Sequence, residues 1–207
     1  MYPLVFALLP NRQQTTYTRI FTLLKTEVQQ MFNRPLAPAT VQTDFEMAAI
    51  RATETEFPAA DVKGCFFHYT QAIWRKTQDL GLAVPYKEDP QIQSWIRRAA
   101  GLPLLPLPDV QYAWMETMDA TPEVARSQEF NDYMVTTWID ARFPLRLWNH
   151  HHAAGPRTNN NLVGFHARIN RSLPHQHPNL YRFVDLIQGI EKSEGGMLEQ
   201  INFGATP

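Results

Sequence analysis

The chain has 207 residues, of which 44% are hydrophobic and 19% are charged, and its formal net charge is -1. This length predicts one domain, or one domain with an insertion, and the near-neutral charge excludes a global basic signature for nucleic acid. The single Cys excludes an internal disulfide and suits a reducing compartment, and no apolar run reaches transmembrane length, so we expect an intracellular, soluble protein that is neither secreted nor membrane-bound.

The first 65 residues alternate between strand and helix patterns. Residues 2–9 form a nearly continuous apolar run, which predicts a strand buried on both faces. Residues 13–32 have helical spacing, residues 40–43 suit a short strand, residues 45–57 have helical spacing again, and residues 61–65 suit a third strand. The order strand, helix, strand, helix, strand with short connections predicts a parallel α/β sheet.

Asp44 follows the second predicted strand directly. In α/β sheets the carboxyl ends of the strands form the edge where ligands and metals bind, so a carboxylate there is a candidate functional group. An Asp before an apolar helix is also a common N-cap, because it accepts hydrogen bonds from the free N–H groups of the first turn. From this stretch alone the capping role is the more common one, and both interpretations stay open.

After residue 65 every periodic segment predicts helix. The segments are residues 66–80, closed by Gly81, and then residues 92–100, 110–118, 124–139, 158–172 and 178–191. The prolines between Leu102 and Pro108 exclude a regular helix there. A small α/β core is therefore followed by a helical block, and the residues from Lys192 onward predict a frayed tail.

Cys65 and His68 have the Cys-x-x-His spacing that lets two side chains face one zinc ion. Further ligands would have to come from the three histidines at 150–152 or from His166, because the chain has no second Cys. The alternative is a buried thiol beside a core histidine that bonds to the backbone. We expect the three histidines to lie in a surface loop. Arg157, ahead of a polar run that suits a helix cap, is either a phosphate contact or a solvated side chain.

Several motifs in their order along the chain resemble the transposase domain of Mutator-like elements, the MULE family. They are residues 2–10, Thr43-Asp44-Phe45-Glu46, residues 64–76 from Gly-Cys-Phe-Phe-His onward, Arg157-Thr158-Asn159-Asn160 ahead of Gly164-Phe165-His166, and His177-Pro178-Asn179-Leu180. Each motif is weak alone, and their order and separations make the resemblance fairly specific.

The resemblance implies an RNase H-like fold in which two Asp and one Glu hold two Mg²⁺ or Mn²⁺ ions for DNA cleavage and strand transfer. Asp44 matches the second acid, and Cys65 and His68 match a signature that shapes the neighbourhood of the acids. The first Asp is expected upstream of residue 2, and Val163 occupies the position of the Glu. We therefore expect a truncated, catalytically incomplete copy that binds metal weakly through Asp44 alone.

On this basis we expect a partial RNase H-like core at residues 1–80, a helical insertion at 81–157, C-terminal helices completing the core at 158–191 and a flexible tail at 192–207. The implied partner is DNA, at transposon ends, with Arg157, Arg168 and Arg171 as candidate contacts, in the nucleus. An exposed sheet edge would favour a homo-oligomer. The alternatives are a domesticated DNA- or protein-binding module without nuclease activity, and a zinc-stabilised structural domain.

Overall fold

The computed structural model describes residues 5–140, 143–153, 164, 169, 171–173 and 179–202, with side chains of the last helix as far as Ser193. The chain divides into two compact units, unit 1 with residues 1–10 and 159–207, and unit 2 with residues 11–158. Unit 2 is mixed α/β, mostly helical, with a small parallel sheet of two strands in its described part. No helix in the described ranges is long and apolar enough to cross a membrane.

Unit 2 begins with three helices and two strands in alternation. The bounds are α1 Gln14–Phe32, β1 Thr40–Thr43, α2 Met47–Glu56, β2 Asp61–Gly64 and α3 Phe66–Asp79. The helical part continues with α4 Ala83–Glu88, α5 Pro90–Gly101, 3₁₀ turns at Leu102–Leu104 and Leu107–Asp109, α6 Val110–Asp119, α7 Ser127–Met134, a π-helical segment at Val135–Ile139 and α8 Leu145–Trp148. In unit 1, α9 spans Leu180–Asn202.

The two strands are parallel and in register from end to end. Thr40 of β1 lies opposite Asp61 of β2, and Thr43 lies opposite Gly64. Parallel strands need a crossover connection, and α2 supplies it. The two strands therefore finish side by side, and the residues that follow them enter the same edge of the sheet.

Helix α1 packs on α2 along one face only. The Phe21 ring meets Phe57 edge-on at 5.5 Å between centroids, and the Lys25 ammonium donates to the backbone carbonyl of Glu56 at 3.1 Å and to its carboxylate at 3.2 Å. None of the α1 residues is fully buried, and Met31 at its carboxyl end is 70% exposed. The apolar residues of this helix therefore continue into its last turn, where Met31 is left largely exposed.

The core of unit 2 is built around a cluster of aromatic rings. Tyr69 of α3 stacks on Trp148 at 5.2 Å and meets Trp138 edge-on at 4.6 Å, and its hydroxyl donates to the carbonyl of Ala99 in α5. The Trp148 indole N–H is shared between the carbonyls of Trp138 and Phe143. The buried polar groups of Tyr69 and Trp148 therefore find acceptors, which fixes the orientation of both rings, whereas the Trp138 indole N–H has no hydrogen-bond partner in the described residues.

Several sequence predictions are confirmed in the described residues. Both short strands and helices α1, α2, α3, α5 and α6 lie where the periodicity places them, within two residues at most of their ends. Helix α3 is followed by Gly81 in the left-handed region at φ +72°, which favours glycine because a Cβ would be strained there. The segment predicted at 124–139 is divided between α7 and the π-helical segment.

The predicted strand at residues 2–9 is wrong in its described part. Residues 5–9 have no strand structure, and residues 2–4 lie outside the described ranges. Val5 and Leu8 are 55% and 59% exposed, so this apolar run is not a buried strand. An apolar run without alternation predicts burial but supplies no pairing partner, and pairing is what makes a strand. The described sheet has two strands, so a complete RNase H-like core is not confirmed.

The carboxyl-terminal predictions have different outcomes. The last helix begins at Leu180 and runs to Asn202, beyond residue 191 where the pattern predicted its end. The helix predicted at 158–172 falls mostly outside the described residues.

Candidate functional site

Asp44 stands at the carboxyl edge of the sheet, as the sequence predicts. It is the first residue after β1, and Cys65 is the first residue after β2. The backbone N–H of Cys65 donates to the carbonyl of Thr43 at 2.9 Å, so the ladder continues one step past the strands and holds both positions side by side. We call Asp44, Cys65 and His68 the sheet-edge site.

Asp44 is not the N-cap residue of α2. The residue at the N-cap of α2 is Glu46, two positions later, and its side chain makes no capping hydrogen bond. Its carboxylate instead accepts a hydrogen bond from the Tyr17 hydroxyl of α1 at 3.0 Å. Burial raises the pKa of Tyr17, and the hydrogen bond to Glu46 and the charge of Asp44 act in the same direction. Glu46 is therefore engaged with α1, which leaves Asp44 as the carboxylate facing α3.

Asp44 and His68 form a short pair across the sheet edge. Asp44 Oδ1 lies 2.9 Å from His68 Nδ1, and the two side chains are 58% and 27% exposed. The distance is that of an ion pair, although His68 Nδ1 makes no hydrogen bond of good geometry within the described residues. His68 lies in the first turn of α3, where the helix dipole favours a nearby negative charge. The pair thus joins the carboxyl end of β1 to the amino-terminal turn of α3, at a solvent-accessible position.

Cys65 does not share the exposure of its neighbours. It is completely buried at 0% exposure, at the N-cap of α3. Across the described residues, no three His, Cys, Asp or Glu side chains come together as a group that could hold a metal ion. The thiol is therefore buried, whereas the imidazole three residues later keeps 27% of its side chain exposed.

The histidine run at 150–152 contradicts the expectation of a surface loop. His150 is 2% exposed, and its Nε2 lies 2.8 Å from the carbonyl oxygen of Gly64, at the end of β2. Because a carbonyl only accepts, Nε2 carries the hydrogen and donates. The His150 backbone N–H donates to the carbonyl of Pro103 at 2.7 Å. Of the other two, His151 is partly exposed and His152 is exposed. Hydrogen bonds thus connect this segment to the end of β2 and to the 3₁₀ turn at Leu102–Leu104.

Phe45 anchors the chain next to Asp44. Its ring meets Trp138 at 4.9 Å and Phe143 at 5.1 Å, both edge-on. Gly64 also approaches this ring, so closely that a Cβ at this position would overlap its carbon atoms. The glycine therefore makes room for the ring, and the ring fixes the turn that presents Asp44.

The remaining predicted site residues are not brought to the sheet edge by any described contact. Val163, Arg157 and Arg168 lie outside the described residues. Arg171 is described and exposed, and it belongs to unit 1.

The amino-terminal part of the chain is similar to a known family. Residues 1–72 match the MULE transposase domain. The matched segment, about a third of the chain, contains Asp44, Cys65 and His68, and it ends within α3. No curated protein and no solved structure matches the chain. The family match supports a transposase-type function, and the position of Val163 lies outside the matched segment.

Sequence reasoning missed the residues that support the site. Tyr17, Phe45 and His150 carry the contacts described above; sequence reasoning assigned Tyr17 and Phe45 no role at the site, and it offered His150 only as a possible zinc ligand. A histidine after a tryptophan and an asparagine gives no signal of burial, because the carbonyl that it bonds lies 86 positions earlier in the chain. Gly64 directly before Cys65 was a usable signal, since a glycine at the end of a strand often marks a close approach of another group.

Proposed function

We propose that this chain is a transposase-type domain whose partner is DNA, with Asp44 as one acid of a metal-dependent DNA-cleaving site. The observation that carries the proposal is the position of Asp44, an exposed carboxylate at the carboxyl edge of a parallel sheet inside the segment that matches the MULE transposase domain. In such sheets this edge is where ligands bind. In a cell that has a nucleus, a DNA partner would place the protein there.

The described residues do not fit a two-ion site by themselves. Such sites clamp the attacking and leaving oxygens of a phosphoryl transfer between two ions, which takes several carboxylates. Here Asp44 contacts His68, Glu46 is turned to Tyr17, and the described ranges contain no group of three metal-ligating side chains. Together with Val163 at the position where the resemblance expects a Glu, this supports the further proposal that the chain does not cleave DNA on its own.

Metal binding tests the role of Asp44 independently of cleavage. Mn²⁺ is titrated into the protein while the imidazole resonances of His68 are followed by NMR, because a paramagnetic ion broadens nearby signals. We expect weak binding, which Asp44→Asn abolishes. Asp61→Asn is the matched control, since Asp61 lies at the opposite, amino-terminal end of the sheet and is 63% exposed in its side chain. Equal broadening of His68 in wild type and Asp44→Asn would refute a metal-binding role for Asp44.

Cleavage is then measured on supercoiled plasmid DNA with Mg²⁺ or Mn²⁺. We expect no nicking by the wild-type chain. If the wild-type chain nicks the plasmid and Asp44→Asn does not, the proposed inactivity is overturned, but Asp44 is confirmed as a catalytic acid. Binding to a DNA duplex is measured at several salt concentrations in parallel. Phosphate contacts make affinity fall steeply with salt, and absent binding at low salt would refute DNA as the partner.

The second candidate, a DNA- or protein-binding module without nuclease activity, is favoured by one observation. The Arg98 side chain is exposed and has no ion-pair or hydrogen-bond partner among the described residues, whereas Arg126 and Arg146 are paired with carboxylates. Salt-sensitive DNA binding that persists unchanged in Asp44→Asn would favour this candidate over a metal-dependent enzyme.

A further inference from the structure

A groove runs between α5 and α6, outside the residues of the sheet-edge site. It consists of two adjoining cavities of about 300 and 340 Å³, which share Arg98 and Thr117 as lining residues. Each volume lies at the lower end of the range for small-molecule pockets. The groove therefore has room for a ligand of modest size on each side of Arg98.

The first cavity is lined by hydrogen-bond donors. Gln91, Ser94 and Arg98 stand on one side of α5, together with Trp95. Trp95 is 2% exposed, and its indole Nε1 has no hydrogen-bond partner within the described part of the chain. A buried N–H without an acceptor costs free energy, so a ligand that supplies an oxygen acceptor here gains what the protein alone lacks.

Arg98 supplies a positive charge that the protein does not neutralise. Its neighbour Arg97 donates to the Tyr86 hydroxyl at 3.2 Å, while Arg98 has no ion pair or hydrogen bond in the described ranges. A guanidinium presents its donors in a planar fork that matches the oxygens of a phosphate. An unpaired guanidinium beside an unpaired indole N–H is a donor set for an oxyanion.

The second cavity has a different character. Leu102, Leu105 and Ala113 give it apolar walls, and Glu116 is the acidic residue in its lining. The Tyr112 hydroxyl bonds to the Glu116 carboxylate, and this hydrogen bond raises the pKa of Tyr112. A carboxylate held in this way repels an anion but accepts a hydrogen bond from an amino group. The two ends of the groove are therefore complementary to a ligand with one anionic end and one flat, weakly polar end.

We propose that this groove binds a nucleotide, with the phosphate group on Arg98 and the Trp95 N–H and the base between the apolar walls beside Glu116. The nucleotide is either free or one unit of a DNA strand, and both present the same phosphate and base. The proposal rests on α5, α6 and the turn between them, and it involves none of the residues of the sheet-edge site. Failure of the Asp44 experiments leaves it standing, and its own failure leaves the sheet-edge site unaffected.

The Trp95 indole N–H is a direct reporter. The chain has five tryptophans, so the ¹⁵N–¹H spectrum contains few indole signals, and Trp95→Phe assigns the relevant one. Deoxyadenosine monophosphate, inorganic phosphate and a short single-stranded oligonucleotide are titrated separately. We expect a saturable shift of the Trp95 signal with the mononucleotide and a much weaker one with phosphate. Arg98→Gln is expected to weaken binding about tenfold or more, because it removes a charged hydrogen bond.

Arg97→Gln is the matched control, since it removes the same charge from the same helix without lining the groove. We expect its affinity to stay close to wild type. If Arg98→Gln does not fold, Arg98→Lys keeps the charge, loses the planar fork and is expected to weaken binding several-fold. A shift with the oligonucleotide alone supports the proposal and assigns the ligand to a DNA strand. No saturable shift with any nucleotide, equal shifts with phosphate and mononucleotide, or unchanged binding in the Arg98 variants would overturn it.

Discussion

Replacing Gly64 by Ala tests the close fit between β2 and the Phe45 ring. An added Cβ overlaps the ring carbons, so either the strand or the ring must move. Overpacking of this kind costs about 1–3 kcal/mol, and each aromatic pair that the ring loses with Trp138 or Phe143 costs about 0.5–1.5 kcal/mol more. We expect Gly64→Ala to lower the free energy of unfolding by about 2–4 kcal/mol.

The assay is urea unfolding followed by tryptophan fluorescence, which reports on unit 2 because all five tryptophans lie in residues 11–158. Gly101→Ala is the matched control. At the end of α5 no heavy atom lies within 4 Å of an added Cβ, so the same chemical change is expected to stabilise by about 0.5–1 kcal/mol.

A double-mutant cycle isolates the cause. Phe45→Leu removes the ring that the new methyl group meets, so its effect in the Gly64→Ala background is expected to be smaller than in wild type by about 1 kcal/mol or more. If Gly64→Ala unfolds at the same urea concentration as wild type, or if the two substitutions are additive, then the ring does not occupy the space in front of Gly64 and our account of how Asp44 is held is wrong.

Three further predictions concern the buried polar groups of unit 2. Burial raises the pKa of Tyr69 well above its ordinary value of 10.0, so its contribution to stability is complete below that pH and is lost as pH rises through the raised pKa. Tyr69→Phe is expected to lower the free energy of unfolding by about 1–2 kcal/mol at neutral pH and to make its decrease above pH 10 less steep. The same pH dependence above pH 10 in wild type and variant would contradict the burial of this hydroxyl. His150→Leu leaves the Gly64 carbonyl without its donor, and we expect it to lower the free energy of unfolding in urea by about 1–3 kcal/mol. The same change at the exposed His152 is expected to alter it by no more than about 0.5 kcal/mol. Equal effects at both positions would show that His150 is not buried. Trp148→Phe keeps the stack on Tyr69 but removes the N–H shared by two carbonyls, and we expect a loss of about 1–3 kcal/mol by calorimetry, with wild-type stability as the refuting result.

Short-range order could be predicted from the sequence, because it depends on neighbours along the chain. The alternation of strand and helix, the end of α3 at Gly81 and the position of Asp44 directly after β1 all follow from periodicity and turn chemistry. The strand predicted at residues 2–9 failed for the complementary reason. Its apolar character was evident, but a strand is defined by hydrogen bonds to another strand, and those are not encoded locally.

The sequence by itself therefore determined the two strands, helices α1, α2, α3, α5 and α6, and the motifs that they carry, including the family match over residues 1–72. Only the tertiary structure decided what meets at the edge of the sheet. The register of β1 and β2 brings Asp44 to His68, the fold places His150 under Gly64, and the packing of Phe45 requires that glycine. These contacts join residues far apart in the chain, and their geometry is set by the mutual packing of whole elements, which no single segment specifies.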